Sequence, residues 1–140
     1  MRRLVSDYRS LLKSYVSLTN RMKDSSGVGK DILKDAIKAL EEKMTKMAEI
    51  IVDEAGKRIL AYNEVVRALG IEGDNYLSAR EALAEVMIHV QGSTSFRQLR
   101  KFFGLFPGRR GVNKFYNTSA RMALARLTSA VHCPEHRARD

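Results

Sequence analysis

Tryptophan is missing from this chain, proline occurs twice and cysteine once. The single cysteine, Cys133, excludes an internal disulfide framework and fits a reducing, cytoplasmic setting. No apolar run approaches the ~18 residues of a membrane span and no signal peptide opens the chain, so no membrane partner is expected. The most informative absence is of acid. Residues 86–134 hold no Asp or Glu at all, in a chain where charged residues make up 29%.

What is present is positive charge, unevenly placed. The 140 residues carry a net charge of +9 and are 44% hydrophobic, which suits one domain, or a short domain with an appendage, and argues against wholesale disorder. Residues 1–85 are almost neutral, with 15 basic and 14 acidic side chains. The acid-free stretch supplies Arg97, Arg100, Lys101, Arg109, Arg110, Lys114, Arg121 and Arg126. Most are arginine, the residue suited to bidentate contact with phosphate or base. The natural partner of such a stretch is a polyanion, DNA or RNA, bound with salt-sensitive affinity. A solubilising basic face is the plain alternative. An acidic lipid surface would need an uninterrupted amphipathic helix, which this segment does not offer.

Apolar periodicity sets the fold class. Leu4, Tyr8, Leu11, Tyr15, Leu18 and Met22 step alternately by four and three, a seam over three heptads. Ser25-Ser26-Gly27-Val28-Gly29 breaks it. The seam resumes at Leu33, Ile37, Leu40, Met44, Met47 and Ile51 and runs on through Ala55, Ile59, Tyr62, Val66 and Leu69. Gly56 inside this run costs about 1 kcal/mol against Ala. The pattern predicts, over residues 1–69, a long antiparallel coiled-coil hairpin: a helix of about 20 residues, a tight turn and a helix approaching 40. The longer helix outruns its partner, so a second copy of the chain or the rest of the fold must cover it. A homodimer through the coiled coil is expected, with intramolecular packing as the alternative. The exposed positions alternate in sign (Lys34, Asp35, Lys38, Glu41, Glu42, Lys43, Lys46, Glu49), as solvated flanks do.

Residues 70–131 predict a small basic helical module. Leu69-Gly70-Ile71-Glu72-Gly73-Asp74-Asn75 is turn chemistry. Ser78-Ala79-Arg80-Glu81 has the form of a capping box, opening a helix with Leu83, Val86, Met87 and Val90 inward. Gly92 to Ser95 ends that helix and caps a short one, Phe96 to Phe103. A loop rich in glycine follows from Gly104 to Gly111, and Asn117 or Thr118 caps a last helix through Val131. Residues 132–140 read as a frayed tail. Nothing alternates with period two over a useful length, so the whole chain is expected to be all-α.

Few residues suggest catalysis, and no catalytic residue, cofactor or metal is expected. His132-Cys133-Pro134-Glu135-His136 lacks the second ligand cluster of a zinc site, and His89 stands alone. Ser93, Ser95, Ser119 and Ser129 are nucleophiles by composition only. Gly27-Val28-Gly29-Lys30 lacks the spacing and preceding strand of a phosphate loop. Nucleic-acid contact is better supported. Arg97, Arg100 and Lys101 share one face of the short helix, with Phe96, Leu99 and Phe103 on the other. Arg109 and Arg110 sit on a Gly-flanked loop with Lys114 beyond it, and Arg121 and Arg126 follow on the last helix. Phe115 and Tyr116 are either stacking platforms for bases or core. The turn at Leu69–Gly73 reads either as a helix-hairpin-helix, whose glycines admit a phosphate to backbone amides, or as a plain inter-helix turn.

The order of these parts resembles a known family. Ala82-Leu83-Ala84-Glu85-Val86, Ser95-Phe96-Arg97-Gln98-Leu99-Arg100-Lys101-Phe102-Phe103-Gly104-Leu105-Phe106-Pro107, then Lys114-Phe115-Tyr116-Asn117, Arg121 and Leu124 are similar to the C-terminal portion of the Piv/MooV-type DEDD transposases, the bridge-RNA-guided recombinases. The resemblance implies a coiled coil for subunit contact, a helix-hairpin-helix and a DNA-recombination setting. The family's nuclease-like domain with its acidic tetrad has no counterpart in these residues. The segment Gly108-Arg109-Arg110-Gly111-Val112-Asn113 holds no serine where the family carries its catalytic one. The implied protein is therefore a nucleic-acid-binding relative of a transposase, not an enzyme on its own. Two other classes fit the composition: an RNA-binding small helical subunit of a CRISPR-type ribonucleoprotein, and a coiled-coil adaptor for an acidic protein partner.

Overall fold

A computed structural model describes residues 1–91, 96–104 and 117–132 of the chain. Six α-helices account for most of them and no strand occurs among them, so the fold is all-α. Two compact units divide at residue 54, Met1–Glu54 and Ala55–Asp140.

The first unit holds α1 (Arg2–Lys23) and most of α2 (Gly27–Arg58). Along α1 the buried residues are Val5 and Tyr8, while Leu4, Leu11 and Leu18 are half-buried. Along α2, Ile37, Met44 and Ile51 step by seven and are buried; the companion column Leu33, Leu40 and Met47 is half-buried. The Tyr15 hydroxyl donates to Glu41 Oε1 at 3.1 Å, joining the two helices. The break between them is shorter than the sequence suggests. Only residues 24–26 leave the helices, because the amides of Asp24 and Ser25 close α1 on Arg21 and Met22 and one left-handed residue, Gly27 at φ +64°, restarts the chain. Val28 and Gly29 are already helical, so Gly27-Val28-Gly29-Lys30 is a first helical turn and not a loop.

The predicted helix approaching 40 residues is interrupted. Helix α2 stops at Arg58 and an eight-residue α3 (Tyr62–Leu69) follows. Ala61 makes the break with φ +65°, the one non-glycine at positive φ among the described residues. This reversal buries both Ile59 and Tyr62 and leaves Leu60 92% exposed between them. Gly56 has a structural reason here: a Cβ would stand 3.3 Å from Asn63 Oδ1, so its bare backbone lets α3 begin against the last turn of α2.

Helix α3 ends in a Schellman motif. Gly70 is left-handed, its amide bonds to Arg67 O at 3.0 Å, and the Ile71 amide bonds to Val66 O at 3.2 Å. Val66 and Ile71 are both buried. A 3-10 turn (Asp74–Tyr76) leads into α4 (Leu77–Val90). The expected capping box does not form. Helix α4 starts at Leu77 with no side-chain cap, and Glu81 is 0% exposed, turned into the core toward a distant partner.

Helix α4 is the centre of this unit, with Leu77, Ala79, Ala82, Leu83, Ala84, Val86 and Ile88 buried. Met87 and Val90, expected inward, are half-buried, because alanines occupy the tightest positions. Helix α6 (Thr118–His132) packs along α4 through Ala120, Ala123 and Leu127. Asn117 is its cap, as its sequence position predicts: Oδ1 accepts the Ala120 amide at 2.9 Å. Short α5 (Phe96–Phe102) runs into buried Phe103 and a left-handed Gly104. The expected cap at Ser95 lies outside the described residues, as do the loop beyond Gly104 and the tail beyond His132.

Candidate nucleic-acid interface

Two of the cations near the turn and on the last helix face inward. Arg126 of α6 donates through Nη1 to Glu81 Oε2 at 2.7 Å and through Nη2 to Glu85 Oε2. The two carboxylates are one helical turn apart on α4, and their side chains are 0% and 1% exposed against 25% for Arg126. Charges that far from water persist only when paired and hydrogen-bonded. Arg126 therefore holds α6 to α4. Its contribution to the charge of the acid-free stretch is answered within the fold.

Arg80 is the second internal cation. Its Nη1 donates to the carbonyls of Ile71, Glu72 and Gly73 at 2.9, 2.8 and 2.8 Å. The hydroxyl of buried Tyr62 donates to the Arg80 carbonyl at 2.6 Å. Burial pushes that phenol well above its ordinary pKa; nearby Arg80 opposes the shift and Glu81 adds to it. The α3–α4 turn is thus fixed by its own guanidinium, which gathers three carbonyls in a row. A row of carbonyls offers nothing to a phosphate, so on that side the turn is structural.

The outward cations lie on α5 and α6. Arg97 and Lys101 are exposed, one turn apart on α5, while Arg100 and Leu99 are half-buried and Phe103 is buried. Arg100, expected on the outer face with Arg97 and Lys101, is thus half-buried like Leu99. Arg121 is exposed on the first turn of α6. Arg109, Arg110 and Lys114 lie outside the described residues, together with Phe115 and Tyr116.

The outer face of α6 goes beyond what the sequence reading singled out. Thr118, Arg121, Met122, Ala125, Thr128, Ser129 and His132 are all exposed and recur every three or four residues. The signal was present as helical spacing of polar and small residues opposite Ala120, Ala123 and Leu127. Glu81 and Glu85 were missed as a pair, because the spacing of Glu81 from Ser78 reads as a capping box.

Among the described residues, no three His, Cys, Asp or Glu side chains are grouped closely enough to hold a metal ion. No helix among them is long and apolar enough to cross a membrane. The chain matches no protein-family model, no curated protein and no solved structure.

Proposed function

We propose that this protein binds nucleic acid through the basic half of its chain. One observation carries the reading: within the stretch that holds no carboxylate, Arg126 turns to Glu81 and Glu85, while Arg97, Lys101 and Arg121 are exposed at the surface. Arg100, Arg109, Arg110 and Lys114 belong to the same stretch and join them on the phosphates. Residues 1–69 serve assembly. The seam of α1 and α2 folds as an antiparallel coiled-coil hairpin, and its half-buried columns Leu4, Leu11, Leu18 and Leu33, Leu40, Met47 dock a second copy. Exposed Val16, Ile32 and Ile50 support that contact. The setting is cytoplasmic DNA recombination, in keeping with the resemblance to the C-terminal portion of the Piv/MooV-type transposases.

The test is fluorescence anisotropy of a labelled 20-base-pair duplex and a labelled single strand at rising salt. Seven phosphate contacts would give a slope of log K against log salt of about −6 on duplex DNA and about −5 on a single strand. Arg97→Ala with Lys101→Ala reduces the magnitude of that slope by about 2. A flat salt response refutes nucleic-acid binding. A monomer in sedimentation equilibrium at micromolar concentration refutes the coiled-coil dimer.

A further inference from the structure

Among the described residues, helix α6 is covered on one side only. Its inner side is fixed to α4 by Ala120, Ala123 and Leu127 and by the Arg126 bonds to Glu81 and Glu85. Its outer side is Thr118, Arg121, Met122, Ala125, Thr128, Ser129 and His132. The charged exposed positions of α2 look different: Lys34, Asp35, Lys38, Glu41, Glu42, Lys43, Lys46 and Glu49 mix both signs. The α6 face has no carboxylate, one guanidinium at its start, one imidazole at its end and hydroxyls between. Nor does it suit a protein partner. Protein interfaces are enriched in aromatic anchors, and this face has none; its one large apolar side chain is Met122, 54% exposed.

We infer that α6 is a recognition helix that enters the major groove of duplex DNA and reads base edges there. The inference rests on the nucleic-acid reading above and assigns it a surface and a kind of duplex. A helix is about 10–12 Å across with its side chains, and the B-form major groove is about 12 Å wide. The A-form groove of RNA duplexes is too deep and narrow to admit one. Short side chains at Ala125, Thr128 and Ser129 let the helix backbone approach closely. Arg121, in the first turn, takes the position from which recognition helices reach bases, and a guanidinium pairs with guanine O6 and N7. The hydroxyls of Thr128 and Ser129 can meet any base edge, and the Met122 and Ala125 side chains suit a thymine methyl. From Arg121 to Ser129 the helix rises about 12 Å, the length of about three to four base steps. The anchoring by Arg126 gives this face a fixed orientation, which base reading requires and phosphate attraction alone does not.

The experiment is selection by the full chain from a pool of DNA duplexes with ten randomised base pairs. Anisotropy titrations then compare the selected duplex, a scrambled duplex and the selected sequence as duplex RNA. A motif of about three to four base pairs per copy is expected, with the selected duplex bound at least about tenfold tighter than the scrambled one. Arg121→Ala relaxes the preference at one G·C position by about tenfold, whereas Arg97→Ala weakens all sequences alike. Ala125→Glu, at an exposed helical position that keeps its circular dichroism, removes the preference altogether. An unenriched pool with a normal salt slope overturns this inference and leaves phosphate binding standing. Equal affinity for the RNA duplex overturns it as well. The loss of all salt-dependent binding overturns both.

Discussion

Replacing Arg126 with Met removes the cation that Glu81 and Glu85 share. Breaking a buried pair from one side costs about 3–5 kcal/mol, because the remaining charge stays buried without compensation. Arg126 is 25% exposed, so its own share of the desolvation is partial, and the lower end, about 3 kcal/mol, is expected. That is a factor of about 150 in the folded-to-unfolded ratio, against a total of about 5–15 kcal/mol for a domain. For a unit of this size it lowers Tm by about 12–24 °C. Thermal and urea melts followed by far-ultraviolet circular dichroism measure it. The triple variant Arg126→Met, Glu81→Leu, Glu85→Met recovers most of the loss, since an apolar trio of similar volume needs no compensation. A single variant costing under about 1 kcal/mol would mean that the carboxylates are hydrated and do not depend on Arg126. A triple variant no better than the single would mean the same. Arg126→Met also separates structure from binding. Below its melting temperature it leaves the salt slope unchanged, and a slope reduced by about 1 would place Arg126 on a phosphate.

Three further substitutions test the rest of the second unit. Arg80→Met removes three charge-assisted bonds to the Ile71–Gly73 carbonyls and costs about 2 kcal/mol; amide exchange across residues 70–76 accelerates, and unchanged exchange refutes the clamp. Ala61→Gly relieves a left-handed alanine, a strain of about 1–2 kcal/mol, less the extra unfolded-state freedom of glycine; a gain of about 0.5 kcal/mol in urea melts is expected, and a loss refutes the Ala61 turn. Asn117→Ala removes the α6 cap and costs about 1 kcal/mol, while Asn117→Asp retains most of it; equal loss in both would mean that Asn117 does not cap.

The elements that the sequence predicted well are those whose signals are local. Helices α1 and α5 form where the periodicity puts them, and α6 begins at the asparagine that any helix start would favour. The α2–α3 break was illegible for a physical reason. No glycine or proline marks Leu60-Ala61, and a heptad seam reads the same whether the helix continues or reverses. Only the burial of Tyr62, with its hydroxyl on the Arg80 carbonyl, makes a left-handed alanine worth its strain. Glu81 shows the same limit. Its spacing from Ser78 is that of a capping box, but the partner that holds it is Arg126, 45 residues away. A local motif and a tertiary ion pair compete for one side chain, and spacing reports only the first. The basic half was legible as charge. Which of its cations are internal was not, because that depends on which carboxylates the fold withdraws from water.

That withdrawal changes what the charge can do. Between residues 70 and 134 the acids are Glu72, Asp74, Glu81 and Glu85. Had the last two stood at the surface, they would have offset two outward arginines at close range, since exposed charges act over about 10 Å before salt screens them. Buried on α4, they neutralise one arginine and fix α6 in place. Stability and surface charge are then coupled through one residue, Arg126. Glu81→Gln with Glu85→Gln would free Arg126 of its charge partners without removing a cation. Were the core triad only structural, that double variant would change stability alone; because it also unbalances the guanidinium beside the α6 face, nonspecific affinity for duplex DNA should rise while the melting temperature falls. An unchanged affinity would show that the withdrawn acids do not shape the field.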